Sequence, residues 1–284
     1  MKVAALTMVY RDHWFLSRWI EHYGRHFGRS NLFIVSHGNE RPIRKIAGDA
    51  NVIGIVRETS GDFDVMRWGF LNDILRILLK SYDCVVIGDV DELIVPNPRF
   101  GTDLVTELGR KADAPVSFVT GMELVEQKDD RPIGENEKLL VQRRSGIWNW
   151  LYTKAAIVYE PVRIGRGAHF AWHTPYYNAE NLLLFHLKFA NSALFADILE
   201  SRADIRKPGS DGKTRTPRGN GWRSDTLETV LNKHAKLPII DFYDGLSEFR
   251  GGTRPDDGVH RQTRPNRFFL DKRFILPGEF AELL

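Results

Sequence analysis

Three carboxylates stand within four residues in Asp89-Val90-Asp91-Glu92, directly after the apolar run Cys84-Val85-Val86-Ile87-Gly88. Consecutive residues of an extended chain alternate faces, so Asp89 and Asp91 can point the same way. Two carboxylates at that spacing make a hard-oxygen site suited to Mg²⁺ or Mn²⁺. An ion of that kind bridges protein carboxylates and a diphosphate, and it stabilises a departing phosphate. The competing reading is an acidic turn that caps the next segment. The placement after a buried-looking strand favours the metal-and-phosphate reading.

Other side chains suit the same chemistry. Asp64 and Arg67 lie in Gly61-Asp62-Phe63-Asp64-Val65-Met66-Arg67, a loop feeding a helix. A helix N-terminus favours anionic groups, and an arginine there can pair with donor phosphate. The plainer reading is a capping carboxylate and a solvated arginine. Trp148, Trp150 and Tyr152 are clustered aromatics, able to stack on a sugar ring or nucleobase or to fill a core. Glu123, Glu126, Asp129 and Asp130 follow a strand-like stretch at 116–121. Glu123 is nearest its end and is the candidate general base. No Ser-His-Asp arrangement is visible, and Cys84 sits in an apolar strand that suits a structural role.

The elements that must position these groups follow a regular order. Residues 2–9 are apolar and β-compatible. Asp12 can cap a helix whose Leu16, Trp19, Ile20, Tyr23 and Phe27 keep the 3.6 period. Strands are expected at 31–36 and 51–56, with a weak helix at 41–49 between them. A helix at 67–81 places Leu71, Ile74, Leu75 and Leu78 on one face, and the strand 83–88 follows. This order predicts an α/β sandwich with a mostly parallel central sheet. Ligands of such sheets bind beyond the carboxyl ends of the strands, here after Val9, Ser36, Val56 and Gly88. In the second half, strands are expected at 115–120, 139–143 and 154–159. Helices are expected at 192–201 and 225–234, with a Gly/Pro/basic loop at 207–220.

Composition bounds the rest. The 284 residues are 42% hydrophobic and 27% charged, which excludes general disorder. A single cysteine excludes an intrachain disulfide framework and a multi-cysteine zinc site, and fits a reducing compartment. The net charge of +3 hides two basic segments. Residues 205–224 hold six Lys/Arg against one Asp, and 250–273 hold seven against three, so the remaining chain is net acidic. These segments can hold diphosphate, an anionic acceptor or lipid headgroups, or form a solvated face. Apart from Trp222 they lack the aromatic interleaving of a nucleic-acid binder, so no nucleic acid is expected. No apolar run approaches the length of a membrane span, and Met1 to Tyr10 lacks a signal-peptide cleavage site. A cytoplasmic protein is expected, with room for peripheral contact at the inner membrane face. The expected organisation is a catalytic domain over 1–200 and a basic C-terminal extension over 201–284 packed on it.

Asp89-Val90-Asp91-Glu92, preceded by VVIG and followed by LIVP, resembles the DxD segment of GT-A-fold glycosyltransferases, in particular a family-2-like bacterial group. The opening strand, Arg11-Asp12 and the helix with Trp19-Ile20-Glu21-His22-Tyr23 resemble that group's opening, which usually carries Asn-Glu where this chain has Arg-Asp. Leu32 to Val35 with His37-Gly38-Asn39, and the pair Arg67 and Asn72, extend the likeness over residues 3–98. It continues loosely through Lys154, which matches a recurrent family lysine, and through Phe185-His186-Leu187-Lys188-Phe189-Ala190-Asn191-Ser192. The resemblance implies a GT-A-like Rossmann-type sandwich. It also implies inverting transfer from a nucleotide-sugar, a UDP-sugar foremost, to a glycan or lipid-linked acceptor with Mn²⁺ or Mg²⁺. Asp91 would be the main metal ligand, with Asp89 on the donor ribose or the metal. Thr7, Val9 and Arg11 would face the donor with Asp64 and Arg67. A late histidine completes such sites, and His169, His173 and His186 are available. His186 is preferred because it ends the apolar run NLLLFHLKF, and Lys188 two residues on shares its face if the run is a strand. One could then meet metal and the other diphosphate. Two related chemistries fit less well. A sugar-phosphate nucleotidyltransferase carries a Gly-rich loop after its first strand, and Thr7 to Arg11 has no glycine. An aspartyl phosphatase carries its DxD on the first strand. A catalytically inactive carbohydrate-binding relative is the remaining alternative.

Overall fold

The computed structural model describes residues 1–59, 63–111, 113–134, 137–172, 174–195, 197, 200, 226–252 and 269–284. The first four strands are β1 (Val3–Val9), β2 (Leu32–His37), β3 (Asn51–Ile55) and β4 (Cys84–Ile87). They alternate with helices α1 (His13–Phe27), α2 (Arg41–Ala47) and α3 (Phe63–Leu78). The strands lie in the order β4-β1-β2-β3 and are all parallel. Residues of β1 divide by parity between two cores. Val3, Ala5 and Val9 join the apolar cluster that holds α1, while Ala4, Leu6 and Met8 join the one that holds α3. A strand covered on both faces is why this segment reads as a continuous apolar run. The α1 period is as expected, with Leu16, Trp19, Ile20, Tyr23 and Phe27 buried. Asp12 stands at its N-cap position without a side-chain capping bond.

The second half extends the same sheet with mixed pairings. Its strands are β5 (Glu92–Pro96), β6 (Val116–Val125), β7 (Ser145–Asn149), β8 (Lys154–Val158), β9 (Tyr176–Phe189), β10 (Ile239–Ile240) and β11 (Phe269–Ile275). The helices are α4 (Leu104–Leu108), α5 (Leu139–Gln142), α6 (Thr226–Ala235) and α7 (Phe242–Gly251). Strand β8 joins the halves, antiparallel to β4 on one side and β6 on the other. Strand β9 runs between β5 and β6, antiparallel to the first and parallel to the second. The α/β sandwich expected from the sequence is the observed fold.

Two details differ from the expectations. Residues 139–142 form α5, not a strand, because Leu139 and Leu140 are buried in succession where a half-buried strand would alternate. The segment beginning at Ser192 opens as a 3₁₀ turn, with Phe195, Asp197 and Glu200 helical after it. The loop 207–220, the basic stretch 205–224 and residues 253–268 of the second basic stretch lie outside the described residues. Strand β11 pairs with β7, and Phe242, Phe249 and Phe274 surround Trp148 with ring centroids 5.1, 5.8 and 4.8 Å away. Trp148 is therefore core, and these aromatics share the apolar cluster that contains α1. Among the described residues no helix is long and apolar enough to cross a membrane.

Candidate functional site

Asp89 to Asp91 form the turn that carries the chain from β4 into β5, and Glu92 opens β5. The Thr7 hydroxyl donates to the Gly88 carbonyl at 3.0 Å and ties the turn to β1. The Glu92 amide donates to the Asp89 carbonyl at 3.1 Å. The Glu92 carboxylate accepts from the Asp89 amide at 3.3 Å. Asp89 and Asp91 thus face the site from a turn, not from one face of a strand as the spacing suggested.

Asp89 meets two cations. Its Oδ1 is ion-paired with the Arg67 guanidinium from the first turns of α3, and Lys154 Nζ lies 4.0 Å from Oδ2. Burial alone would raise its pKa, but Arg67 and Lys154 outweigh that and hold the carboxyl well below the usual range. Arg67 is held charged in turn: burial opposes it, but Asp89 and Asp64 raise its pKa. The Asp64 carboxyl is raised by desolvation, against the pull of Arg67. Lys154 opens β8 and is buried, with Nζ 2.6 Å from Oε1 of the equally buried Glu92. Burial raises the Glu92 pKa, and Lys154 opposes the rise.

Asp91 has a different set of partners. Its backbone carbonyl accepts from the Leu187 amide at 2.9 Å, which fastens the turn to β9. Its Oδ2 lies 3.3 Å from His186 Nε2. His186 stands opposite Glu92 on β5 and opposite Glu123 on β6. Its Nδ1 is 2.9 Å from Glu123 Oε1. The Tyr152 ring stacks on the imidazole at 3.9 Å and 15°, and its hydroxyl donates to the same Glu123 oxygen at 3.2 Å. Burial disfavours the charged imidazole, but Asp91 and Glu123 outweigh it and push the pKa up to about 9. Tyr152 itself is raised well above 10.0, by burial first and then by Glu123.

Among the described residues no group of three or more His, Cys, Asp or Glu side chains is arranged to hold a metal ion. Asp91 and His186 nevertheless fit as a pair. The Asp91–His186 separation is 3.3 Å. Glu123 would stand as the outer carboxylate on the other nitrogen of His186 if that histidine ligated a metal. Asp89 is instead occupied by Arg67, so it is a less direct donor than the sequence suggested. His169 feels Lys154 first and burial second, which lowers its pKa to about 3. His173 lies outside the described residues.

The other expected site residues separate into groups. Thr7 and Val9 are buried, one with its hydroxyl on Gly88 and the other in the core against α1, so neither side chain is turned to a ligand. Arg11 has a left-handed φ of 60° and lies 3.8 Å from Glu40 and 4.0 Å from Glu200. It lines a cavity of about 450 Å³ with Trp14, Phe15 and Asp197, outside the Asp89–Asp91 cluster. Lys188 is buried with its ammonium 5.1 and 5.7 Å above the rings of Phe189 and Phe195. Glu126 and Asp130 pair with the buried Arg143 at 3.1 and 3.7 Å, which makes them supports of their loop. Glu123, the nominated base, is buried with Oε1 engaged by His186 Nδ1 and the Tyr152 hydroxyl. Sequence reasoning named Tyr152 only as one of three aromatics and assigned Lys154 no chemistry.

No protein-family model matches the chain, and no curated protein matches it. Among solved structures, that of a mannose-1-phosphate geranyltransferase from Thermus thermophilus is similar at 12% identity. The match covers 99% of this chain and 77% of the other, with a TM-score of 0.29. A likeness of that degree says nothing about activity.

Proposed function

We propose that this protein is a transferase acting on a nucleoside-diphosphate sugar, and specifically that it moves the sugar to an acceptor hydroxyl. One observation carries the reading. At the carboxyl end of the parallel strands β1 and β4, a short acidic turn aims Asp91 at His186 and holds Asp89 between two cations. Asp91 and His186 would hold Mn²⁺ or Mg²⁺, which when bound supplies positive charge for the departing diphosphate. Arg67 and Lys154 add fixed positive charge at the same end of the sheet, where phosphate oxygens gain most from it. Asp89 keeps Arg67 oriented, and Glu92 holds Lys154 in place at 2.6 Å. The resemblance of the DxD segment to GT-A glycosyltransferases supports the same reading. A glycan or lipid-linked acceptor, and a site at the inner membrane face, belong to this proposal.

The test is a panel of UDP-, GDP- and other nucleotide-sugars with Mn²⁺, read for nucleoside-diphosphate release. Glycosyl transfer breaks the bond between the anomeric carbon and the diphosphate, so the nucleoside diphosphate appears. A nucleotidyltransferase would instead need added pyrophosphate and would return a nucleoside triphosphate and a sugar phosphate. Asp91→Asn is expected to lower turnover by roughly a hundredfold or more, in line with losing one fixed electrostatic group at a reacting centre. Turnover that survives Asp91→Asn unchanged would sink the proposal. Triphosphate formation that depends on pyrophosphate would replace glycosyl transfer with the nucleotidyl reaction.

A further inference from the structure

Glu123 looks like a base when only the sequence is read, because it is a carboxylate near a strand end. Its surroundings point to another task. A histidine can give a lone pair to a metal through one nitrogen only if the proton sits on the other, and the hydrogen bond made by that other nitrogen sets the tautomer. Here Glu123 Oε1 faces Nδ1 at 2.9 Å, which leaves Nε2 directed at Asp91. The Tyr152 hydroxyl donates to the same oxygen, and its ring covers one face of the imidazole. The arrangement is built into the sheet. Glu123 and His186 are register partners on parallel β6 and β9, and the pairing shifts immediately after them. Irregularities of this kind re-aim side chains beside sites. At Gly121 a Cβ would lie 1.9 Å from the Tyr152 carbonyl, so β6 and the Tyr152 turn approach closely only because that position has no side chain.

We infer that Glu123 and Tyr152 are positioning residues that fix the tautomer and rotation of His186, so that Nε2 and Asp91 receive a divalent cation together. This rests on the proposed metal-dependent reading, and it takes Glu123 out of the acceptor side of the reaction.

The probe is Mn²⁺ alone, titrated by electron paramagnetic resonance with no nucleotide present. Removing an outer carboxylate from a ligating histidine weakens metal binding about 10- to 100-fold. Glu123→Leu is expected to show that loss. Glu123→Gln retains an acceptor for Nδ1–H and should lose about three- to tenfold, a partial rescue. Tyr152→Phe keeps the ring and removes the hydroxyl, and should fall between Glu123→Gln and the parent. Ring ¹⁵N shifts of His186 without metal should move in Glu123→Leu, a signature that mere destabilisation does not produce. Mn²⁺ affinity equal to the parent in Glu123→Leu overturns the inference. So do equal losses in the Leu and Gln variants, because the accepted hydrogen bond would then not matter. If Glu123→Leu does not fold, an unchanged affinity in Glu123→Gln overturns it. A parent that binds Mn²⁺ in this Glu123-dependent way yet turns over no nucleotide-sugar sinks the glycosyl-transfer reading alone.

Discussion

At the scale of single residues, the site holds two kinds of ion pair with different duties. Asp91 and His186 meet at 3.3 Å, with Glu123 on the other nitrogen of the imidazole. Glu92 and Lys154 are closed: both side chains are 2% exposed and meet at 2.6 Å. Removing one member of a buried pair leaves the other charge uncompensated, which costs about 3–5 kcal/mol. Lys154→Met is therefore expected to destabilise the protein by that amount in urea unfolding. Adding Glu92→Gln should recover most of it, since the neutral amide needs no counter-charge. A single Lys154→Met variant as stable as the parent would show that the pair does not hold the turn. The sequence made Asp89 and Asp91 visible because only Val90 separates them. Lys154 and Tyr152 were not readable in this way, because their partners Glu92, Glu123 and His186 are distant in the chain and meet only through β5, β6, β8 and β9.

At the scale of elements, legibility followed periodicity. Helix α1 and the strands β1 and β4 bury their apolar residues in the pattern that the spacing predicts, β2 does so at all but Phe33, and β3 is half-buried, so their order could be read directly. Residues 139–143 were misread because Leu139-Leu140 is too short to show a period, and a buried pair followed by exposed Val141 fits one turn of helix. The reversal at Asp89 to Asp91 was hidden because VVIG before it and LIVP after it both look like strand, which they are, but as separate strands. The joint that matters most is where β6 passes the Tyr152 turn. Gly121→Ala would put a methyl 1.9 Å from the Tyr152 carbonyl, a clash with backbone that no rotamer relieves. Overpacking of that kind costs about 3 kcal/mol. The expected outcome is a lower urea midpoint together with weaker Mn²⁺ binding, as the Tyr152 ring is displaced from His186. A Gly121→Ala protein with parental stability would mean that β6 and the turn separate freely.

At the scale of the whole molecule, buried neutral histidines join elements at different ends of the sheet. His22 on α1 donates through Nε2 to the Ile94 carbonyl of β5 at 2.7 Å, and burial pushes its pKa down to about 3. His234 on α6 bonds the Ser145 hydroxyl of β7 at 2.9 Å, and burial with Arg273 nearby lowers its pKa to about 4. A histidine whose folded pKa lies below its unfolded value of 6.5 takes up a proton more readily when the chain unfolds. Its effect on stability is nil well above pH 6.5 and grows unfavourable as the pH falls from there toward the folded pKa. Asp89 acts in a separate window, because its contribution is lost only below the ordinary carboxylate range. Between pH 7 and 5 the histidines therefore dominate this limb. A fully buried one contributes a slope of about 1.4 kcal/mol per pH unit, so His22 accounts for about 2 kcal/mol by pH 5. Urea unfolding of the parent at pH 7 and pH 5 should show a fall to which His22 and His234 both contribute and which His186, with its raised pKa, partly offsets. His22→Gln removes the titrating group while keeping a donor for Ile94, so it should start less stable at pH 7 yet fall by about 2 kcal/mol less. Parallel losses in parent and variant would mean that His22 is protonated in the folded protein, and that its bond to Ile94 does not depend on the neutral ring.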